Sequence, residues 1–318
     1  MKKKSLLTIL LVVIVAAIAW FDWSATHDTA GTKLTTVTIG YQKADPVDIA
    51  RARGQLSKKM QAKGYKVVFK EFQDGTALTT ALKSGDIDYA RVGDVPPVTA
   101  QANGLDFVYI AAGSDKVQGS GIEVKKNAGI ESLADLKGKT IAYTKGTSSQ
   151  YMLIQALKKA GLTESDVKMV SMDQATAAVA FAKGTIDAWA SWDPYTATAE
   201  VNNDATLLVD DAGLAKNRDF LISTQTYATK NKTVSKLLTQ YLSDDMTWAN
   251  THKAQLTTMM MKMLKLKKSI VQKMVDRRTY SFGKFSDSIL AEQQSIADVF
   301  YQQGVVTKKV DVTDAVVK

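Results

Sequence analysis

The stretch VVFKEFQDGTALTTALKSGDIDYA at residues 67–90 is answered by VKMVSMDQATAAVAFAKGTIDAWA at 167–190. Each passage reads as a strand, a short helix closed by glycine, and a second strand that opens on Ile-Asp. Ile87 and Ile186 stand 99 residues apart. The same echo extends both ways. TVTIGYQK at 36–43 matches KTIAYTKG at 139–146, with Ile39 and Ile141 separated by 102 residues. VGDVPPVTA at 92–100 matches SWDPYTATA at 191–199, with Asp94 and Asp193 again 99 apart. A near-constant offset over three segments points to a duplicated α/β unit, and so to two similar lobes. Equivalent loops at the carboxyl ends of their strands can then face each other across a cleft, where open α/β sheets take ligands.

Working outward, Val37–Tyr41, Lys66–Phe72 and Ile87–Val92 read as strands, alternating with helices over Ile49–Lys63, Thr76–Lys83 and Pro96–Asn103. The last of these has proline at its entrance and glycine just past its end, the preferred asymmetry. Asp219–Ala228 reads as a further strand, and helices follow over Thr233–Asn250, Lys253–Leu264, Lys267–Asp276 and Ser286–Gln303. Two extended crossings, near Gly121–Lys125 and Leu221–Tyr227, would form the hinge between lobes. The expected division is a leader and linker over 1–35, the first lobe over 36–122, the second over 123–222, and a return to the first with C-terminal helices over 223–318.

The composition narrows the chemistry. The 318 residues include no Cys and only two His, His27 and His252, neither near another ligand-type residue. Disulfides, thiolate sites, a Cys nucleophile and a His-centred triad or zinc site are therefore not expected. The net charge of +9 suits an anionic partner, but the basic residues are spread without interleaved aromatics, which argues against nucleic acid. Lys2–Lys4 followed by the apolar run Leu6–Phe21 forms an export leader. It reads either as a signal peptide cut near Ala17-Ile18-Ala19 or as an uncleaved anchor bordered by Trp20, Phe21 and Trp23. The expected location is extracytoplasmic. Gly138-Lys139-Thr140 ends like a phosphate-binding loop, but Leu133 stands where that pattern needs glycine. The Met- and Lys-rich run at 259–268 reads as a core helix with a lysine face.

IGYQK at 39–43, GDIDYARVGDVPP at 85–97, LADLKGKTIAYTKGTSS at 133–149, IDAWASWDPY at 186–195 and VFYQQGVVTKKVD at 299–311 resemble the aliphatic-sulfonate, taurine and nitrate group of ABC-transporter substrate-binding proteins. The similarity runs from about residue 37 to 312. It implies a two-lobed type II periplasmic-binding fold, one small anionic solute of the alkanesulfonate kind in the cleft, delivery to a membrane ABC permease, a monomer, and no cofactor, metal or catalytic residue. Alternative solutes within that group are taurine, nitrate and a thiamine-precursor pyrimidine; an enzyme on the same fold is the alternative of a different class. Gram-positive relatives commonly carry a lipidated cysteine after the leader, which this chain lacks. It also carries Ala44-Asp45-Pro46 after the first strand, where Asp45 either caps a helix or repels an anion.

The candidate ligand-binding residues are Gln42, Gly75, Thr76, Asp94, Thr147, Ser148, Ser149, Trp192 and Arg278. Gln42 ends the first strand and can donate an amide N–H to an oxyanion. Gly75 and Thr76 open a helix whose first-turn N–H groups lack intrahelical partners, and Thr147–Ser149 open another. Their hydroxyls cap that helix or help cradle an anion, and both jobs can coexist. Asp94 reads as a helix cap or a partner for a ligand's amino group, and Asp193 as a cap. Trp192 offers an apolar wall and an indole N–H. Of Arg277 and Arg278, the second is expected in the cleft as a fork of donors and the first as a solvated surface charge.

Overall fold

A computed structural model describes residues 34–316, so the leader and its two readings lie outside the described residues. The first duplicated half begins with β1 (Thr35–Tyr41), in which Val37 and Ile39 are fully buried. Two short helices follow, α1 (Pro46–Arg53) and α2 (Gln55–Gln61), in place of one continuous helix. Gly54 at φ +69° separates them, a left-handed conformation that glycine adopts without steric cost. Then come β2 (Tyr65–Glu71), α3 (Gly75–Ser84), β3 (Tyr89–Val92), α4 (Val95–Ala102) and β4 (Phe107–Gly113). The second half runs β5 (Ser120–Lys125), β6 (Thr140–Tyr143), α5 (Ser148–Lys159), β7 (Lys168–Ser171), α6 (Gln174–Lys183), β8 (Ala188–Trp192), α7 (Tyr195–Asn202) and β9 (Ala205–Asp210).

The echo in sequence is an echo in structure. β1 pairs in parallel with β2 and β3, and β6 pairs in parallel with β7 and β8. Asp88 accepts from the Thr38 N–H at 2.7 Å and donates its own N–H to the Thr38 carbonyl at 2.9 Å. Asp187 treats Thr140 in the same way, at 2.7 and 2.9 Å. The repeated Ile-Asp thus ties the third strand of each unit to its first. Asp74 caps α3 by accepting from Ala77 N, and Asp173 caps α6 by accepting from Thr176 N.

After β9 the chain forms β10 (Phe220–Thr224), α8 (Gln225–Lys230), α9 (Lys232–Thr251), α10 (Lys253–Leu264), α11 (Lys268–Asp276), β11 (Phe282–Gly283) and α12 (Asp287–Gln302). The strand expected to reach Ala228 stops at Thr224, whose side chain accepts from Tyr227 N and starts α8. One six-stranded sheet has the order β11-β4-β10-β3-β1-β2, and a five-stranded sheet has β7-β6-β8-β5-β9.

The lobe boundaries shift accordingly from the expected 122/123 and 222/223. β5 is antiparallel to β8 and β9, so it belongs wholly to the second sheet; β10 is antiparallel to β3 and β4, so it belongs to the first. The chain therefore crosses at residues 114–119 and 211–219, through loops and a short 3₁₀ turn, and not through the strands themselves. The crossings are tied together: Lys116 N donates to Lys216 O, and Asp211 N to Val117 O, each at 3.0 Å. In the Met- and Lys-rich run at 259–268, Met260 is buried and Met259, Met261 and Met263 pack half-buried against the first lobe's core, with Lys262 exposed, and α10 ends at Leu264 within the run.

Candidate functional site

The two lobes close over a cavity of about 70 Å³. From the first lobe come Gln42 and Asp45 just after β1, Gly75 at the start of α3, Arg91 and Gly93 from the end of β3, and Arg278 after α11. The second lobe contributes Thr147 and Ser148 at the start of α5, with Trp192 and Asp193 where β8 ends. Each crossing adds one polar side chain, Lys116 and Asn217. The cavity thus lies at the carboxyl ends of strands of both sheets and beside the hinge.

Its electrostatics centre on Asp219, which is fully buried. Lys116 Nζ donates to Asp219 Oδ1 at 2.6 Å, Arg278 Nη2 donates to Oδ2 at 2.5 Å, and Arg91 Nη2 also pairs with Oδ1. The Nε atoms of Arg91 and Arg278 are buried without a hydrogen-bond partner. Burial pulls Arg91 down to about 10, against the pull of Asp45, so it stays protonated at neutral pH. Burial pushes Asp45 up to about 6, opposed by Arg91, whose Nε lies 3.5 Å away. Burial and the two guanidiniums drive Lys116 well below its ordinary value, opposed by Asp94 and Asp45, and its 2.6 Å bond to the Asp219 carboxylate favours the charged form.

Gln42 lines the cavity, but its Nε2 donates to the Gln73 carbonyl at 3.1 Å and its Oε1 accepts from Arg91 Nη1 at 3.1 Å. Its contact with the charged cluster is thus one that steadies Arg91. Gly75 also lines the cavity, and a Cβ there would stand 2.2 Å from Pro96 Cγ. Thr76 is exposed and is not part of the wall; its Oγ1 faces the Gly146 turn of the opposite lobe. Thr147 and Ser148 line the cavity and Ser149 does not. All three hydroxyls are engaged within the protein: Thr147 Oγ1 donates to Thr144 O at 2.7 Å, Ser148 Oγ donates to Asp94 Oδ1, and Ser149 Oγ accepts from Thr144 N at 3.0 Å. What α5 offers an anion is its backbone. Among the described residues the N–H groups of Ser148 and Ser149 find no acceptor, and the helix dipole adds to their pull.

Asp94 stands at the N-cap position of α4 without a side-chain cap bond. Its carboxyl turns to Ser148 of the other lobe, and burial raises its pKa. Asp45 does cap: it accepts from Asp48 N at 2.8 Å and from Gln42 N at 2.7 Å. Asp193 accepts from Ala197 N at 3.1 Å and in addition pairs with Arg277. Trp192 and Arg278 both reach the cavity. Arg277 corrects the expectation of a solvated charge: it is largely buried, donating to Asp193 Oδ2 at 2.9 Å and to Glu200 Oε2 at 2.7 Å.

Sequence reasoning passed over Arg91, Lys116, Asn217 and Asp219. Arg91 had a signal, since it is a lone charge inside the short buried strand Tyr89–Val92. Lys116, Asn217 and Asp219 had none, because they sit in two crossings about a hundred residues apart that only the folded chain joins.

The model of the family described as "NMT1/THI5 like" matches residues 60–255. Among curated proteins, a putative aliphatic sulfonates-binding protein of Escherichia coli is 33% identical over 275 residues, 86% of each chain. One of the same description from Bacillus subtilis is 29% identical over 311 residues, covering 96% of this chain and 93% of that one. Among solved structures, the alkanesulfonate-binding protein of Xanthomonas axonopodis pv. citri bound to MOPS superposes with a TM-score of 0.85 at 31% identity, over 90% of this chain and 99% of that one.

Proposed function

The chain belongs to the NMT1/THI5-like family, and from that premise we propose that it is the extracytoplasmic solute-binding component of an ABC importer, taking a small organic sulfonate between its lobes. One observation carries the reading: three cationic side chains, Arg91, Lys116 and Arg278, converge with the N-terminus of α5 on a single cavity between two lobes. A sulfonate presents three equivalent oxygens, which forked guanidinium donors and backbone N–H groups can share. Trp192 gives the organic tail an apolar wall. No bond in the solute changes; the ligand stabilises the closed arrangement because only that arrangement brings donors from both lobes within reach.

Delivery to a membrane permease, export by the leader and a monomeric state complete the proposal. Among the described residues no helix is long and apolar enough to cross a membrane. Titration calorimetry with ethanesulfonate, taurine, nitrate and a pyrimidine tests the specificity. The expected result is micromolar or tighter binding of the alkanesulfonate, lost by about thirtyfold or more in Arg278→Ala, because truncating a buried charge partner is costly. Binding of the pyrimidine or nitrate with no response to any sulfonate would overturn the reading.

A further inference from the structure

The arrangement around Asp219 bears on which anions this site accepts, an inference that rests on the functional reading above. A fully buried carboxylate behind the lining of an anion site is unexpected, since its charge opposes the ligand's. Here it is bonded at once to Arg91, Lys116 and Arg278, the cavity's cations other than Lys43. Asp45 supplies a second carboxylate, 3.5 Å from Arg91 Nε. The other charges nearby are matched outside this group. Asp193 pairs with Arg277, Glu200 with Arg277 and Lys273, and Lys43 with Glu71 at 3.4 Å. Asp94 and Asp211 do not line the cavity: Asp94 accepts from Ser148 Oγ and Asp211 from Ser120 Oγ, and burial raises both carboxyls, Asp211 to about 8. Within the group joined through Asp219 and Arg91, three cations face two carboxylates, which leaves one positive charge for a ligand to neutralise.

We propose that Asp219 is a specificity-determining residue that sets the cavity's charge to match a monoanion, so that an organic sulfonate is accepted and the doubly charged sulfate ion is refused. The physical basis is the cost of an unmatched charge. Inside a water-excluded cavity a second negative charge meets no free cation and keeps its desolvation penalty, whereas a monoanion is fully compensated. Asp219 also acts as a positioning residue, drawing Arg91 Nη2 and Arg278 Nη2 to itself and leaving the Nε donors of both without a protein acceptor.

Calorimetry on the whole exported chain, with ethanesulfonate and with sulfate as probes, tests this through the ratio of the two dissociation constants. The wild type is expected to favour ethanesulfonate by about a hundredfold or more, and Asp219→Asn to shrink that ratio by about tenfold or more, since each tenfold is a modest free-energy change. Adding Lys116→Gln to Asp219→Asn returns the charge to its original value and should restore the preference, a reversal that a merely structural role would not produce. Lys116→Gln alone should widen the ratio, and it serves as the test if Asp219→Asn does not fold by circular dichroism. A folded Asp219→Asn with the wild-type ratio, a Lys116→Gln protein with that ratio, or a wild type that binds sulfate as well as ethanesulfonate overturns the inference. A wild type that binds nitrate but neither sulfonate nor sulfate overturns the sulfonate reading and supports the charge rule.

Discussion

Asp45 and Thr147 occupy equivalent positions in the duplicated halves, each immediately before a helix, and differ in what they leave free. Asp45 bonds the first turn of α1 with its carboxylate and faces Arg91 with the other oxygen. Thr147 makes no side-chain cap bond, so the first turn of α5 keeps its donors for a ligand. On the proposed function, the second lobe's helix is the one with backbone donors left to receive an anion. Placing a carboxylate there should fill the site from within: Thr147→Asp is expected to fold with an unchanged or slightly higher melting temperature yet to lose sulfonate binding by about thirtyfold or more, read by thermal shift and calorimetry. Ser149 is the contrasting case. Its hydroxyl serves Thr144 and Thr147, so Ser149→Ala should cost about 1 kcal/mol in urea denaturation and leave the affinity within about threefold.

Among the elements, β5 joins its neighbours through a buried acid. Glu123 is fully buried, accepts from Ser191 Oγ of β8 at 3.0 Å, and Ser191 in turn contacts Thr196 of α7 at 2.8 Å. Burial pushes its pKa from 4.5 to about 8, with Glu200 adding to the rise and Arg277 opposing it. The native state therefore binds a proton that the unfolded chain releases, and stability falls as pH rises between about 4.5 and about 8. Glu123→Gln keeps an acceptor for Ser191 without the charge. Urea denaturation from pH 5 to 8.5 should show this decline flattened in the variant, which becomes the more stable protein at the alkaline end. Equal slopes for both proteins would remove Glu123 from the account.

For the whole molecule, closure is held from two sides of the cleft. Ser148 of the second lobe bonds Asp94 of the first. On the other side Arg277 and Lys273, from the C-terminal helices packed on the first lobe, reach Asp193 and Glu200 around α7. Because these contacts need no ligand, they bias the empty protein toward the liganded shape and lower the cost of binding. Arg277→Gln should open the unliganded protein, raising its radius of gyration in solution scattering, and weaken sulfonate binding by about tenfold with the closed radius regained at saturation. An unchanged radius would show that the bridge follows closure without favouring it.

Periodicity and repetition determined the architecture before any contact was known. A duplicated strand–helix–strand pattern implies two sheets and a cleft, because each unit must bury one sheet and both present their strand ends alike. The positions of Thr147, Ser148 and Trp192 on the cavity wall were legible because short motifs beside strand ends set their neighbourhood, and Arg278 because it follows a helix; the hydroxyls' bonds within the protein, and Ser149's place off the wall, were not. Arg91 was legible in part, as a charge in a buried strand. The hub was not. Lys116 and Asp219 come from crossing loops whose residues have no periodicity, and their roles come from hydrogen bonds between segments remote in sequence. The same holds for the limits of the crossings, since a strand's sheet membership is decided by its pairing partners and not by its own residues. The sequence by itself determined a two-lobed α/β fold with a cleft; only the tertiary structure decided which side chains meet there and how their charges are arranged, because electrostatic energy depends on distance and burial, neither of which is written along the chain.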